Sequence, residues 1–368
     1  MKILAINWRD IANPEAGGAE VHIHEILKRF VTWGHEVTLL ASGFPDCREE
    51  VRIDGIRVIR KGRWHNANLA LPIYYVMKLK NERFDIVLED INKIPFFSPL
   101  YAKSRVVATV PHLFGSTVFK ETSPILAMYV YLHELLIPLV YAKVPFVAIS
   151  ESTRDDLVRR GVNRHRISVI HCGLDHALYS DSSTIAKSKK ALLVYLGRLR
   201  KYKGVQYLLK AMLLVKERVP DARLVVVGNG PYKGPLVELS EKLGVLDIVS
   251  FVGQVPSDEK VRLLREAHLV VNPSPKEGWG LTVLEANACG TPVVASRSPG
   301  LIDSVRDGVS GILVEHGNIR ELADAMIRII EDKELSAKLS KGAKEWSLTF
   351  NWDTCAKEME KFLLGALR

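Results

Sequence analysis

The sequence is poor in cysteine and has no block of like charge, and these absences exclude several classes of protein. Four cysteines among 368 residues lie far apart and form no Cys-x-x-Cys pair. This argues against a zinc site or a disulfide framework and favours a reducing cytosol. Lys and Arg number 51 against 42 Asp and Glu, and the net charge of +9 is spread along the chain. Without a basic arm or tail, nucleic acid is not expected as the main partner.

Long apolar runs are also scarce. The first residues, MKILAINWRD, are interrupted at Arg9 and Asp10 before a signal-peptide core is complete, so we expect no secretory signal. The segment closest to membrane-spanning length, 125–141, is broken by two polar residues and a proline. We predict a cytoplasmic protein in which 125–141 is a buried or interfacial helix.

What the chain does contain is a regular alternation of apolar, β-rich runs with longer helical patterns. The predicted strands are 2–7, 36–41, 57–61, 86–89, 105–110 and 146–149 in the first half and runs that begin at 192, 223, 249, 269, 292 and 311 in the second. Helices are expected at 19–33, 74–81 and 152–161 as well as at 125–141. This pattern predicts parallel sheets covered by helices. We expect an α/β protein with two Rossmann-like, doubly wound domains, 1–180 and 181–350, that face each other across a cleft. The polar segment 180–190 is the predicted linker. A final helix, 351–368, could pack on either domain, and packing on the N-terminal domain is one interpretation.

Two glutamates flank a glycine-rich turn and a helix start after one of the expected strands. The segment is PSPKEGWGLTVLEANACGTPVVAS, 273–296, with Glu277 in the loop and Glu285 in the helix. Carboxylates accept hydrogen bonds from sugar hydroxyls, and the amides at 278–281 favour an anion. The alternative is a helix-capping Glu277 and a solvated Glu285.

A second candidate is the basic turn GRLRKYKG, 197–204, which follows an expected strand and precedes a helix. The guanidinium of Arg198 and the ammonium of Lys203 together suit a diphosphate. The alternative is an ordinary basic surface turn.

The N-terminal half has two further candidates at strand ends. Gly17 and Gly18 start a helix and would form an anion-binding turn, although they lack the dinucleotide spacing and equally fit a simple loop. His112 follows a strand and would face the cleft; a structural histidine is the alternative. No Asp-x-Asp follows a strand, so we expect no metal site and no cofactor beyond the substrate.

Together these motifs resemble glycosyltransferase family 4, retaining enzymes of the two-domain GT-B fold. The likeness covers nearly the whole chain. It includes the Glu, seven residues, Glu signature at Glu277 and Glu285 and the GR-plus-KG element at Arg198 and Lys203. Further matching pieces are GGAE at 17–20, ISESTRDDL at 149–157, CGLD at 172–175 and ACGTPVVAS at 288–296.

The resemblance implies a nucleotide diphosphate sugar, such as a UDP- or GDP-hexose, as donor. Arg198 and Lys203 would hold its diphosphate, and Glu285 its ribose. Glu277 with the amides of Gly278, Trp279, Gly280 and Leu281 would hold the transferred sugar. In the N-terminal, acceptor-side domain, Gly18 in the Gly17 turn would add an amide to the phosphates, and His112 would face the sugar. All of these residues together make up the predicted donor and catalytic site.

The chain departs modestly from the family pattern at three positions. Cys172 stands where Asn is common, Trp279 where Phe is usual, and Asp303 where the family more often has Glu. The last change shortens a carboxylate near the donor.

The predicted reaction is therefore hexosyl transfer to an acceptor hydroxyl without a metal, the acceptor being a glycan, a lipid-linked sugar or a small polyol. A sugar-nucleotide epimerase of the same fold and a non-catalytic, nucleotide-sugar-binding partner subunit are the alternatives. Apolar residues at 95–101 and 114–131 near basic side chains would form an acceptor groove and a contact with the inner face of a membrane. Ordinary domain core is the other interpretation of these residues.

Overall fold

Two compact units make up the described part of the chain. The computed structural model describes residues 1–180 and 186–368. Unit 1 comprises Met1–Gly173 and Trp352–Arg368, and unit 2 comprises Leu174–Asn351. The chain therefore passes between the units twice. Of the predicted linker, residues 181–185 lie outside the described residues.

Unit 1 is built on an eight-stranded sheet. Its strands are β1 Lys2–Ile6, β2 Glu36–Ala41, β3 Glu50–Ile53, β4 Ile56–Arg60, β5 Ile86–Asp90, β6 Arg105–Val110, β7 Phe146–Ala148 and β8 Ile167–Val169. They lie in the order β3-β4-β2-β1-β5-β6-β7-β8, and only β3 and β4 pair antiparallel. The central strands are apolar on both faces because helices cover the sheet. The chain switches direction across the sheet at the β1–β5 pair.

Six of these strands are confirmed predictions, whereas the sequence did not indicate β3 and β8. β3 alternates exposed and half-buried residues at the sheet edge, so it has no continuous apolar run. Its hairpin turn is formed by Asp54 and Gly55, whose φ angles of 47° and 79° suit a two-residue turn. β8 has three residues with the polar Ser168 in the middle, whereas β7, of the same length, is wholly apolar.

The helices of unit 1 correct two predicted boundaries. They include α1 Gly18–Thr32, α2 Ala67–Tyr74, α3 Pro124–Leu135, α4 Ile137–Val140 and α5 Glu151–Arg159. The helix expected at 74–81 instead begins at Ala67 and ends in a π-helical turn, Tyr75–Leu79. The helix expected at 125–141 is divided into α3 and α4 just before Pro138, whose missing N–H and ring disfavour an uninterrupted helix.

Unit 2 has a six-stranded, fully parallel sheet. Its strands are β9 Leu192–Leu196, β10 Arg223–Val227, β11 Val249–Gly253, β12 Leu269–Asn272, β13 Val293–Ser296 and β14 Gly311–Val314. They lie in the order β11-β10-β9-β12-β13-β14. All six were predicted. The chain switches direction at the β9–β12 pair, so the loops after these two strands leave the same edge of the sheet side by side.

Apart from α6, which precedes β9, the helices of unit 2 follow its strands, as the alternating pattern predicts. They are α6 His176–Tyr179, α7 Val205–Arg218, α8 Lys233–Lys242, α9 Ser257–Glu266, α10 Leu281–Ala288, α11 Leu301–Ser304, α12 Ile319–Glu331 and α13 Lys333–Ser347. Their buried faces and the sheet form a core separate from that of unit 1.

The last helix, α14 Trp352–Leu367, packs against α1 in unit 1. Arg29 Nε lies 2.6 Å from a carboxylate oxygen of Asp353. Between the two helices, the ring of His22 is buried 6.1 Å from that of Trp352. Neither ring nitrogen of His22 has a hydrogen-bond partner within the described residues. Burial therefore lowers the pKa of His22 to about 4.

This buried histidine predicts acid sensitivity of the α1–α14 packing. The unfolded chain binds a proton at pH values up to about 6.5, but folded His22 does not until about pH 4. Stability is therefore lost as the pH falls through this window, by about 3 kcal/mol from this group. We expect the melting temperature of wild type to fall more steeply between pH 6.5 and 4 than that of His22→Leu, measured by thermal denaturation. Parallel pH profiles would contradict the assignment.

Candidate active site

The predicted basic turn, 197–204, connects β9 to α7 and is held by backbone contacts. Leu199 N–H donates to the carbonyl of Asn229 at 2.9 Å, and the Tyr195 hydroxyl donates to the carbonyl of Arg198 at 3.3 Å. Arg198 itself is half-buried. These contacts fix the backbone at the carboxyl end of β9 and place Arg198 at the edge where a doubly wound sheet binds its ligand.

Gly204 brings this turn against the segment that follows β12. Its φ of 76° is in the left-handed region at the start of α7. A Cβ at this position would lie 2.4 Å from the carbonyl oxygen of Pro273, so there is no space for any side chain. Only glycine satisfies both demands.

The loop that carries Glu277 is fixed in a similar way. Glu277 N–H donates to the carbonyl of Pro299 at 3.0 Å, and a Cβ on Gly300 would lie 2.2 Å from the Glu277 carbonyl oxygen. The loop ends at Gly280, which precedes α10 with a φ of 91°. Gly280, not Glu277, is the N-cap residue, so the alternative of a capping glutamate is not what the fold shows. Val283 N–H donates to the Gly280 carbonyl at 2.8 Å, and the amides of Leu281 and Thr282 precede the first hydrogen bonds of the helix.

Lys203 and Glu277 form a direct ion pair between the two loops. Lys203 Nζ lies 2.6 Å from Glu277 Oε1, with side-chain exposures of 15% and 17%. Burial is the largest single effect and lowers the pKa of Lys203, but the Glu277 carboxylate, together with Tyr202 and Tyr195, raises that pKa above the usual value. The lysine is therefore charged at neutral pH. Two residues predicted separately from two motifs thus share one contact.

Glu285 is held by two residues that the sequence did not indicate. Its Oε1 accepts from the Tyr179 hydroxyl at 2.8 Å and from Lys260 Nζ at 3.0 Å. Lys260 also lies over the Tyr179 ring, 5.1 Å from its centroid. The side chain of Glu285 is only 16% exposed, so the alternative of a solvated glutamate is wrong. Tyr179 on α6 and Lys260 on α9 carry no local motif, and only the folded chain brings them to α10.

Trp279 has a packing role that the turn sequence does not reveal. Its side chain is 2% exposed and lies edge-on to Phe350, with ring centroids 5.2 Å apart. The side chain is therefore part of the interior of unit 2. Gly278 and Gly280 on either side are half-buried, so this turn offers a ligand its backbone amides.

The remaining predicted residues belong to unit 1, at the carboxyl edge of its sheet. Gly17 N–H donates to the Glu20 carboxylate at 2.7 Å, so this amide is already used at the start of α1. Gly18, the first residue of α1, is exposed. His112 follows β6, half-buried, with its ring 5.3 Å from that of Phe114.

The switch point of unit 1 also holds polar side chains that sequence reasoning missed. Asp10 and Arg60 form a buried bidentate pair at 2.8 and 2.9 Å, which ties the loop after β1 to β4. Asn92 Nδ2 donates to Asn7 Oδ1 at 2.9 Å. Asp90 at the end of β5 is fully buried, and this burial raises its pKa well above the usual range. Within the described residues, no group of three or more His, Cys, Asp or Glu side chains is arranged to hold a metal ion.

Comparison with known families matches both units. The profile described as "Glycosyltransferase Family 4" matches residues 16–178, and that described as "Glycosyl transferases group 1" matches residues 180–346. A D-inositol 3-phosphate glycosyltransferase of Corynebacterium glutamicum is 32% identical over 242 residues. The match covers 61% of this chain and 58% of that protein, so it spans just over half of the relative's length.

Solved structures match the fold over nearly the whole chain. Sucrose-phosphate synthase from Thermosynechococcus elongatus has a TM-score of 0.83 at 21% identity, over 98% of each chain. An Anabaena protein solved in complex with UDP-glucose has a TM-score of 0.78 at 20% identity, over 99% of this chain and all of that one. The fold is therefore GT-B-like, as the sequence predicted.

The contact of Tyr179 with Glu285 can be measured by a double-mutant cycle. We expect Tyr179→Phe and Glu285→Gln to be coupled by about 1 to 3 kcal/mol, because the hydroxyl donates to a mostly buried, charged oxygen. Denaturant unfolding of the two single variants and the double variant gives the coupling. Tyr207→Phe, a tyrosine whose ring packs on His316, is the matched control and should be additive with Glu285→Gln. Additivity in both cycles would contradict the contact.

Proposed function

The chain belongs to glycosyltransferase family 4, group 1, and from this membership we propose that it transfers a hexosyl unit from a nucleotide diphosphate sugar to an acceptor hydroxyl with retention. The observation that carries the proposal is the Lys203–Glu277 pair beside the start of α10, at the switch point of unit 2. The cation and the first amides of α10 match the diphosphate of such a donor, and the carboxylate matches its sugar hydroxyls.

We assign the diphosphate to Arg198 and Lys203. As the bond from the anomeric carbon to the phosphate oxygen breaks, negative charge grows on the departing diphosphate. Fixed cations and amides stabilise charge most effectively when they need no reorganisation, and backbone hydrogen bonds at Leu199 and Glu277 fix the two loops in place. Arg198 and Lys203 would neutralise the charge of the diphosphate, which a divalent cation does in metal-dependent transferases, so we propose metal-independent transfer.

The transfer step itself uses the leaving group as the base. The acceptor oxygen attacks the anomeric carbon on the face from which the phosphate departs, and the acceptor proton passes to the phosphate oxygen. One glycosidic bond forms, one sugar–phosphate bond breaks, and the configuration is retained. Glu277 is paired with Lys203 and binds the sugar hydroxyls in this scheme, so it is not the nucleophile of a covalent intermediate.

We assign the ribose hydroxyls to Glu285. Tyr179 and Lys260 both bind Oε1, and Oε2 is the atom proposed for the ribose. In support, the Anabaena protein of the same fold was solved with UDP-glucose.

Unit 1 is proposed as the acceptor side, with a glycan, a lipid-linked sugar or a small polyol as acceptor. Its contributions to the donor are the Gly18 amide at the start of α1 and the His112 side chain toward the sugar. Cytoplasmic location with peripheral contact at the inner membrane face is part of the same proposal. None of the helices in the described residues is long and apolar enough to cross a bilayer.

Donor binding is tested by thermal shift with a panel of nucleotide diphosphate sugars, each with and without Mg²⁺. A ligand that binds only the native state raises the melting temperature, and at a hundredfold excess over Kd it adds about 2.7 kcal/mol. We expect one donor to shift wild type equally with and without Mg²⁺, and Lys203→Met to lose the shift. Lys201→Met, an exposed lysine in the same turn, should keep it. A shift that requires Mg²⁺ contradicts metal independence.

Turnover tests the leaving-group assignment. Arg198→Ala should lower kcat by about 10²- to 10³-fold, the usual loss when one preorganised donor to developing charge is removed. Product is measured with the donor found in the panel, and Lys201→Ala is the matched control. Unchanged turnover of Arg198→Ala, with its melting temperature preserved, would contradict the role of Arg198.

A further inference from the structure

Two neighbouring segments of unit 1 expose apolar side chains on a scale unusual for a protein surface. In the segment 64–77, which contains α2, the exposed residues are Trp64, Leu69, Ile73, Val76 and Met77. In the segment 125–139, which contains α3 and α4, they are Ile125, Leu126, Met128, Tyr129, Leu132, Leu135, Leu136 and Leu139. We call these thirteen side chains the apolar face. Monomeric proteins rarely expose contiguous apolar patches of more than a few hundred Å².

The exposed apolar residues of α3 lie on one side of the helix. Exposed Ile125, Met128, Leu132 and Leu135 recur at helical intervals along one side, while Ala127 and Val130 are buried in the core on the other. A helix of a water-facing surface carries polar residues on its outer side. Here both sides are apolar, so the outer side requires a partner. The interpretation of 114–131 as ordinary domain core therefore holds for the inner side of α3 and is wrong for its outer side.

The α2 segment repeats this arrangement. Ala67, Leu71 and Tyr75 are buried at four-residue intervals, and Leu69, Ile73 and Met77 are exposed at the same intervals on the opposite side. Asn68 Nδ2 donates to the Tyr129 hydroxyl, which joins α2 to α3 at the surface. The two apolar stripes are therefore adjacent.

The exposed charged side chains within 61–81 and 122–142 are basic. Of the two glutamates that flank these ranges, Glu121 and Glu82, the latter is paired with Arg57. Residues 61–81 contain four basic and no acidic side chains, and Arg63, Lys78 and Lys80 among them are exposed. Lys143 is exposed just after α4. The one acidic residue within 122–142, Glu134, is fully buried and paired with Arg160 at 3.1 Å. The rim of the face is thus cationic.

From this combination we propose that the apolar face docks on an anionic phospholipid bilayer, with α2 and α3 lying in the plane of its surface. Leucine, isoleucine and methionine would enter the acyl boundary while the basic rim contacts lipid phosphates. The helix α3 has 12 residues and a length of about 18 Å, against about 30 Å of hydrocarbon, so it lies on the bilayer rather than across it.

A second copy of the chain fits this face less well. A symmetric pair buries the same patch on both copies and would bring the same basic rims together. Bilayer docking rests on the proposed function in one respect, the peripheral membrane contact, and it holds whichever sugar is transferred.

The test is flotation with two kinds of vesicle, phosphatidylcholine alone and phosphatidylcholine with phosphatidylglycerol. We expect wild type to float with the anionic vesicles only, and less at high salt. Trp64 provides a second signal because it is the most exposed of the six tryptophans, at 65%. Its fluorescence should shift to the blue on the anionic vesicles, and Trp64→Phe should abolish the shift.

The apolar contribution is tested with the triple variant Ile125→Gln, Leu132→Gln, Leu139→Gln. These side chains are exposed, so the melting temperature should stay within a few degrees of wild type, while vesicle partitioning should fall on the order of a hundredfold. Leu348→Gln in unit 2, an equally exposed leucine at 66%, is the matched control and should partition like wild type.

The cationic contribution is tested with Arg63→Gln, Lys78→Gln, Lys80→Gln. Partitioning to anionic vesicles should again fall on the order of a hundredfold. The control replaces two exposed lysines of α13, Lys338→Gln and Lys341→Gln, and should have no such effect.

Three outcomes would overturn the docking proposal. They are failure of wild type to float with anionic vesicles, equal partitioning of the apolar-face variant and wild type, and a stable dimer that the apolar-face variant dissociates. Donor thermal shifts measured on the same preparations separate this proposal from the proposed function. A protein that binds donor and ignores vesicles contradicts the docking alone, and one that floats but binds no donor contradicts the catalytic proposal alone.

Discussion

The close approach of the loops after β9 and β12 is the constraint on which the candidate site depends. Backbone from one loop occupies the space where Gly204 would otherwise carry a side chain. On the far side of the Glu277 loop, the Glu277 carbonyl occupies the space that a side chain on Gly300 would need. Because both loops are tied at their backbones, the 2.6 Å contact of Lys203 with Glu277 joins two rigid segments. A site that stabilises developing charge needs this kind of preorganisation.

Glu285 shows how a second layer of residues supports the first. A carboxylate on a helix has several rotamers, and the Tyr179 hydroxyl together with the Lys260 ammonium selects one of them. Tyr179 lies shortly after the point where the chain enters unit 2, and its hydrogen bond ties that segment to α10. The position of the glutamate therefore depends on α6 and α9 as well as on its own helix.

Unit 1 has the same doubly wound arrangement as unit 2, but it carries the apolar face on its outer surface. Its sheet buries the inner sides of α2 and α3, as in unit 2, yet the outer sides of these helices are also apolar. Burial in the core explains only half of each helical pattern. The outer sides of α2 and α3, with their cationic rim, have the composition of a surface that contacts lipid. The proposed catalytic site and the proposed docking face thus lie on different elements of the chain.

The sequence by itself determined the fold class, twelve of the fourteen strands and the strand ends at which the candidate residues lie, because parallel strands buried on both faces leave continuous apolar runs. β3 and β8 left no such runs. Tertiary structure alone decided that Lys203 contacts Glu277, that Tyr179 and Lys260 hold Glu285, and that the Trp279 side chain is interior. It also decided that α3 is exposed on its apolar side. Periodicity identifies an apolar side chain, but whether that side chain meets the core or the surface depends on neighbours distant in sequence.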